Sequence, residues 1–75
     1  MLALRPDCER CGADLPADVG GAQICSFECT FCADCAAGPL AGRCPNCGGD
    51  LQSRPLRVGA ALANYPASAE RKHGR

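Results

Sequence analysis

Large apolar side chains fall singly along this chain rather than in sustained periodic runs, so the regular elements it predicts are short. Ile24-Cys25-Ser26-Phe27 alternates apolar with small or polar residues and predicts a short strand, one arm of a β-hairpin. Ala33-Asp34-Cys35-Ala36-Ala37 predicts one or two turns of helix, stopped by Gly38-Pro39. Val58, Leu62 and Tyr65 recur at helical spacing, but a helix of two turns is too short to hold by itself. Leu15, Ile24, Phe27, Phe31, Leu40 and Leu51 are the candidates for a small core, each with a structural role. From Arg54 onward the composition turns basic and rich in Ala, Pro and Ser. The chain therefore divides into a domain over residues 1–53 and a flexible or loosely docked basic tail over 54–75.

Composition makes the apolar shortage explicit. Of 75 residues 47% count as hydrophobic, but thirteen of these are alanine and eight are cysteine, leaving fourteen large side chains. Leu, Ile, Val and Phe together make up about 16% of the chain, too little for a conventional apolar core. Covalent or metallic cross-links must supply what the core cannot, and the eight cysteines are the only residues available for that.

Disulfides and metal are the two ways to use them, and the compartment separates the two. Met1-Leu2-Ala3-Leu4 is broken at once by Arg5-Pro6-Asp7, so no export signal is expected, and no apolar run is long enough to span a membrane. The expectation is a cytoplasmic protein whose thiols stay reduced and bind metal.

The spacing agrees. The cysteines form four pairs, Cys8/Cys11, Cys25/Cys29, Cys32/Cys35 and Cys44/Cys47, enough for two four-thiolate Zn2+ sites with no sulfur left over. Cys11-Gly12 and Cys47-Gly48-Gly49 place glycine directly after the second sulfur of a C-x2-C pair, as a turn wrapping its N–H groups around bound thiolates requires. Both read as zinc knuckles. His73, the only histidine, lies in a polar terminal run and is not expected to be a ligand.

Two pairings respect the order of the ligands. The sequential one joins Cys8, Cys11, Cys25 and Cys29 at one ion and Cys32, Cys35, Cys44 and Cys47 at the other; the interleaved one joins the first pair with the third and the second with the fourth. The scarcity of apolar residues favours interleaving, because two separate beads would each need a core.

Enzymatic zinc keeps an open coordination position, whereas four sulfurs per ion close both sites, so the chain reads as non-enzymatic. An iron–sulfur carrier is the chemical rival, since Cys29-x2-Cys32-x2-Cys35 partly imitates a ferredoxin run; the ferredoxin Cys-Pro, however, follows after three residues, not the eight that precede Cys44-Pro45.

Charge narrows the partners. Eight basic and eight acidic residues cancel, but residues 1–50 carry three basic against seven acidic and residues 51–75 five against one. Eight thiolates holding two Zn2+ would bring the first 50 residues to about −8. Nucleic acid is a poor fit for such a head, with only Arg5, Arg10 and Arg43. The tail, with Arg54, Arg57, Arg71, Lys72 and Arg75, could bind it loosely. The leading expectation is a zinc-stapled protein-interaction module, contacting another protein through Asp14, Asp18, Glu28, Asp34 and the Pro45-Asn46 turn. A redox-responsive thiol switch is the alternative.

The order of the ligands resembles the RING finger, with Cys29 standing where that family usually has histidine. The resemblance implies a cross-brace fold in which Cys8, Cys11, Cys32 and Cys35 form site one and Cys25, Cys29, Cys44 and Cys47 form site two. Features that RING ubiquitin ligases use are missing: Glu9 and Arg10 stand between the first ligands, the chain has no Trp, and Gly48-Gly49 follow the last ligand. One Lys against seven Arg also looks bacterial.

A second resemblance covers more of the chain. Leu4-Arg5-Pro6, the run Ile24-Cys25-Ser26-Phe27-Glu28-Cys29-Thr30-Phe31-Cys32-Ala33-Asp34-Cys35, and Cys44-Pro45-Asn46-Cys47-Gly48-Gly49-Asp50-Leu51 resemble the bacterial "domain of unknown function 1272" family from about Leu2 to Arg57. It implies a small cysteine-rich, zinc-binding bacterial protein without an assigned activity.

Overall fold

Ala22–Ile24 (β1) pairs antiparallel with Thr30–Cys32 (β2), placing Ala22 opposite Cys32, Gln23 opposite Phe31 and Ile24 opposite Thr30. The computed structural model describes residues 2–70; Met1 and residues 71–75 lie outside it, so the expectations for His73, Arg71, Lys72 and Arg75 fall outside the described residues. A third strand, Gln52–Ser53 (β3), adds to the other edge of β1 and gives the order β2-β1-β3. Ala33–Ala37 (α1) follows β2 without a loop, as its sequence predicts, and the backbone N–H of Gly38 bonds back to Asp34 O at 3.0 Å.

The hairpin arrives two residues earlier than the alternation predicts. The strand expected over Ile24–Phe27 stops at Ile24, because Cys25–Cys29 closes into a turn: Glu28 N–H donates to Cys25 O at 3.0 Å and Cys25 N–H to Cys29 O at 3.2 Å. Glu28 adopts φ 65°, a left-handed conformation that removes the chain from the ladder. Phe27, expected in the core, is therefore 71% exposed on that turn.

Leu15, Phe31 and Leu51 are buried as expected, and Leu40 is half-buried against them, as is Ile24 in its strand. Phe31, 2% exposed, packs in a cluster with Cys8, Cys25, Cys35 and Cys44, thiols from all four pairs. The core is thus built as much of sulfur as of hydrocarbon, which answers the shortage of large apolar residues. No helix among the described residues is long and apolar enough to cross a membrane.

The basic segment begins inside the fold. Arg54 is 6% exposed; its Nη1 donates to Arg5 O at 2.8 Å and its Nη2 to Leu15 O at 2.9 Å and Pro16 O at 3.2 Å. Burial lowers its pKa. Arg57 donates its backbone N–H to Ala17 O and its guanidinium to Leu2 O and Tyr65 O. Between Arg57 and Tyr65 the predicted helical spacing becomes Gly59–Asn64 (α2), which has no buried residue. Ser68 N–H then bonds to Ala3 O at 2.8 Å.

Candidate metal centres

Two turns of nearly identical geometry present the outer cysteine pairs. In the first, Cys8 N–H donates to Ala13 O at 2.9 Å and Gly12 N–H to Cys8 O at 2.9 Å; in the second, Cys44 N–H donates to Gly49 O at 2.8 Å and Gly48 N–H to Cys44 O at 2.9 Å. Gly12 has φ 79° and Gly48 φ 78°, the left-handed conformation that their position after the second sulfur predicts. Isolated bridges Asp7↔Asp14 and Arg43↔Asp50 close the two turns at their bases.

The first centre joins the first knuckle to the β2–α1 junction. Cys32 is the last residue of β2 and the N-cap of α1, and its Sγ accepts from Cys35 N–H at 3.4 Å. A three-residue spacing across a helix start puts both sulfurs on one side. The Sγ atoms of Cys8, Cys11, Cys32 and Cys35 all lie within 4.8 Å of one another. Cys8 Sγ accepts from Cys11 N–H at 3.4 Å, and Arg10 Nη1 approaches Cys35 Sγ at 3.8 Å.

The second centre joins the hairpin turn to the second knuckle. Cys25, Cys44 and Cys47 hold their Sγ atoms within 4.8 Å of one another. Phe27 N–H donates to Cys25 Sγ at 3.3 Å and Gly49 N–H to Cys47 Sγ at 3.4 Å. Cys29 stands beside this trio: its thiol interacts with those of Cys25 and Cys44, with the Asn46 side chain and with the Arg5 guanidinium. Arg5 is itself fixed by Glu9, whose Oε2 accepts from Arg5 Nη1 at 2.8 Å and from Thr30 N–H at 2.7 Å.

Each centre holds one thiol poised to ionise among others that resist it. Burial opposes ionisation of Cys8, but backbone donors at Cys11, Cys32 and Arg10 outweigh it and bring the thiol down to about 6. At Cys25, too, burial is overcome by the N–H groups of Phe27 and Cys29, giving about 7. Burial instead prevails at Cys29, raised to about 11, and at Cys35, raised to about 12, each further opposed by neighbouring sulfurs. The thiols that burial and neighbouring sulfurs raise keep their protons until a cation replaces them.

The geometry fits a four-sulfur metal site. Cys11 Sγ and Cys32 Sγ are 3.7 Å apart, close to the edge of about 3.8 Å of a tetrahedron with metal–sulfur bonds of about 2.3 Å. A disulfide would need about 2.05 Å, and all eight cysteines are free thiols. The chain brings together the first and third pairs, and Cys25 of the second pair with the fourth, so the grouping of the sulfurs is interleaved rather than sequential. Arg5 and Arg10 escaped notice as electrostatic partners of the thiols; their positions beside and within the first knuckle were the only sequence signal. Of the acidic residues expected to meet a partner, Asp14, Asp18 and Asp34 are exposed, as are Pro45 and Asn46, whereas Glu28 is half-buried and accepts from Ala3 N–H.

Comparison with known proteins gives the chain relatives. The family described as "Protein of unknown function (DUF1272)" matches residues 1–57. A protein of Rhizobium meliloti (strain 1021), named "Uncharacterized protein R02474", is 61% identical over 71 residues, covering 95% of this chain and 84% of the relative. No solved structure matches the chain.

Proposed function

The chain belongs to the DUF1272 family, and on that premise we propose that it is a structural zinc-binding domain, non-enzymatic, that presents a surface to another protein. The observation that carries this reading is the convergence of thiols from distant parts of the chain at tetrahedral spacing. Zn2+ at each centre would supply charge neutralisation and four bonds that replace a missing apolar core. The interleaved grouping sets both centres around one core, like the cross-brace of RING fingers. The surface offered to a partner combines the exposed acids Asp14, Asp18 and Asp34 with Phe27 at the tip of the hairpin turn.

Elemental analysis of the purified protein tests the reading, with two zinc ions per chain expected and loss of dispersed amide resonances on chelation. A brown protein with iron and inorganic sulfide would replace it with cluster binding. Capture of a native partner that is lost on substituting Phe27 and Asp14 together would support the interaction surface.

One observation favours a second reading, a redox-responsive switch. Each centre keeps one exposed sulfur, Cys11 in the first and Cys47 in the second. Two thiolates of one centre reacting with hydrogen peroxide and two protons would give a disulfide and two waters, releasing the metal. Zinc release at low peroxide doses, reversed by a reductant, would favour the switch; release only at damaging doses would exclude it.

A further inference from the structure

The peptide groups of Ala3 are bonded from two sides. Its N–H donates to Glu28 Oε1 at 2.6 Å, and its C=O accepts from Ser68 N–H at 2.8 Å. Glu28 lies on the turn that presents Cys25 to the second centre, and its own N–H donates to Cys25 O at 3.0 Å. Its left-handed backbone belongs to that turn, so the place of its carboxylate depends on the turn being closed. The N-terminal segment, the hairpin turn and the C-terminal arm over residues 58–70 thus meet at one residue. The arm itself is lightly held. Its helix α2 buries no residue, Val58 and Tyr65 are each more than half exposed, and a groove of about 270 Å3 stays open where Val58 and Ala61 face Leu2, Leu4 and Pro55. Besides the Ser68 bond, Arg57 ties it to the N-terminal segment, its guanidinium bridging Leu2 O and Tyr65 O. Few buried contacts and a handful of exposed hydrogen bonds put such a segment at the low end of local stability, where a small bias changes how often it is docked.

We propose that residues 58–70 form a strap whose docking is coupled to the metal of the second centre through the chain of contacts Cys25–Glu28–Ala3–Ser68. The inference rests on the zinc reading and deepens it, by giving one of the two ions a regulatory consequence. An ion on Cys25, Cys44 and Cys47 anchors the hairpin turn to the second knuckle; the anchored turn holds Ala3 through Glu28, and Ala3 holds the strap through Ser68. Loss of that ion loosens the turn and frees the strap, uncovering Leu2 and Leu4 together with the apolar side chains of the strap itself. Linkage makes the coupling reciprocal: whatever factor the ion adds to docking of the strap, the docked strap adds to the affinity for the ion. The first centre, assembled from the first knuckle and the β2–α1 junction, has no part in this chain of contacts. Glu28 and Arg57 are positioning residues, one on each side of the N-terminal segment.

Amide hydrogen exchange at Ser68 and zinc affinity by competition with a chromophoric chelator, both on the full chain, test the coupling. In the zinc-loaded protein Glu28→Ala keeps two ions per chain and speeds exchange at Ser68 by about tenfold. Glu28→Gln, whose side-chain oxygen still accepts from Ala3 N–H, leaves exchange at the wild-type rate. Arg57→Met loosens the strap without touching the hairpin turn and weakens one of the two ions by about tenfold. In the Cys11→Ser background, which retains only the second ion, that weakening persists; in Cys47→Ser, which retains only the first, it disappears. Where a single-ion variant does not fold, the two affinities measured in Arg57→Met alone decide, and unequal weakening supports the coupling. Unchanged exchange at Ser68 in Glu28→Ala, or zinc affinities that Arg57→Met leaves alone or weakens equally, would overturn the proposal. A wild-type protein carrying no zinc would instead overturn the zinc reading beneath it.

Discussion

Cys11 Sγ stands 3.7 Å from Cys32 Sγ although 21 residues separate the two in the chain. The contact joins the exposed side of the first knuckle to the N-cap of α1, and β1 and the hairpin turn lie between them in sequence. A cation between these sulfurs therefore closes a long loop, where a cross-link removes the most freedom from the unfolded chain. The second centre closes another loop that overlaps it, from Cys25 to Cys47. Overlap is what lets one small core, centred on Phe31, serve both.

The grouping makes a specific prediction for paired substitutions. Cys8→Ser and Cys32→Ser should each remove the ion of the first centre, and the double variant should retain one zinc per chain, no fewer than either single. Cys8→Ser with Cys44→Ser should retain none. Zinc per chain by elemental analysis decides it; additive loss in the Cys8/Cys32 double would mean that these sulfurs serve different ions.

Metal uptake should release protons. Burial first, and then the neighbouring sulfurs, raise the Cys35 thiol to about 12. At Cys11 the Ala13 N–H favours the thiolate, but hydrogen bonds with the Cys8 and Cys32 sulfurs outweigh it and raise the pKa. Both are protonated at neutral pH and must lose a proton to coordinate, whereas Cys8, at about 6, has already lost its own. Zinc affinity should thus weaken as pH falls and strengthen as it rises, with more than one proton released per ion at about pH 7. Calorimetry in two buffers of different ionisation enthalpy measures that number, and release of none would show that the metal-free chain holds its sulfurs as thiolates.

The two knuckle turns were legible in the sequence because C-x2-C spacing followed by glycine is a local statement, and Gly12 and Gly48 adopt the backbone it implies. The helix over Ala33–Ala37 was local too. What escaped depended on distant partners. Gln52–Ser53 is two exposed residues whose only strand signature is pairing with β1. Phe27 continued an alternation that ended at Cys25, where the turn that donates Phe27 N–H to the Cys25 sulfur overrides the strand period. Arg54 reads as the start of a flexible or loosely docked basic tail, and its guanidinium bonds to carbonyls 49, 39 and 38 residues away.

Arg54 should consequently matter more than any other charge of the basic segment. Arg54→Ala strands the carbonyls of Arg5, Leu15 and Pro16 and should cost about 2–3 kcal/mol. Lys in its place keeps the charge, but a single ammonium cannot reproduce a fork that reaches carbonyls on both sides, so it should recover less than half of the loss. The midpoint of urea unfolding of the zinc-loaded protein, at unchanged slope, reports both. A loss below about 0.5 kcal/mol for the alanine variant would mean that the segment from Arg54 is not docked in solution as it is in the structure.

The two phenylalanines provide the sharpest contrast, because they are four residues apart and differ almost completely in burial. Phe31 is 2% exposed and packs against thiols of both centres, while Phe27 is 71% exposed on the hairpin turn. Phe31→Ala should cost about 3–5 kcal/mol through lost burial and the cavity left behind, and in a domain this small that should prevent stable folding at low zinc. Phe27→Ala removes a side chain that contributes little to the fold and should change stability by no more than about 0.5 kcal/mol. Thermal unfolding of both variants at matched zinc concentration makes the comparison. Equal losses would place the strand two residues later, with Phe27 turned inward as its alternating sequence suggests, and would move Cys25 off the turn that presents it to the second centre.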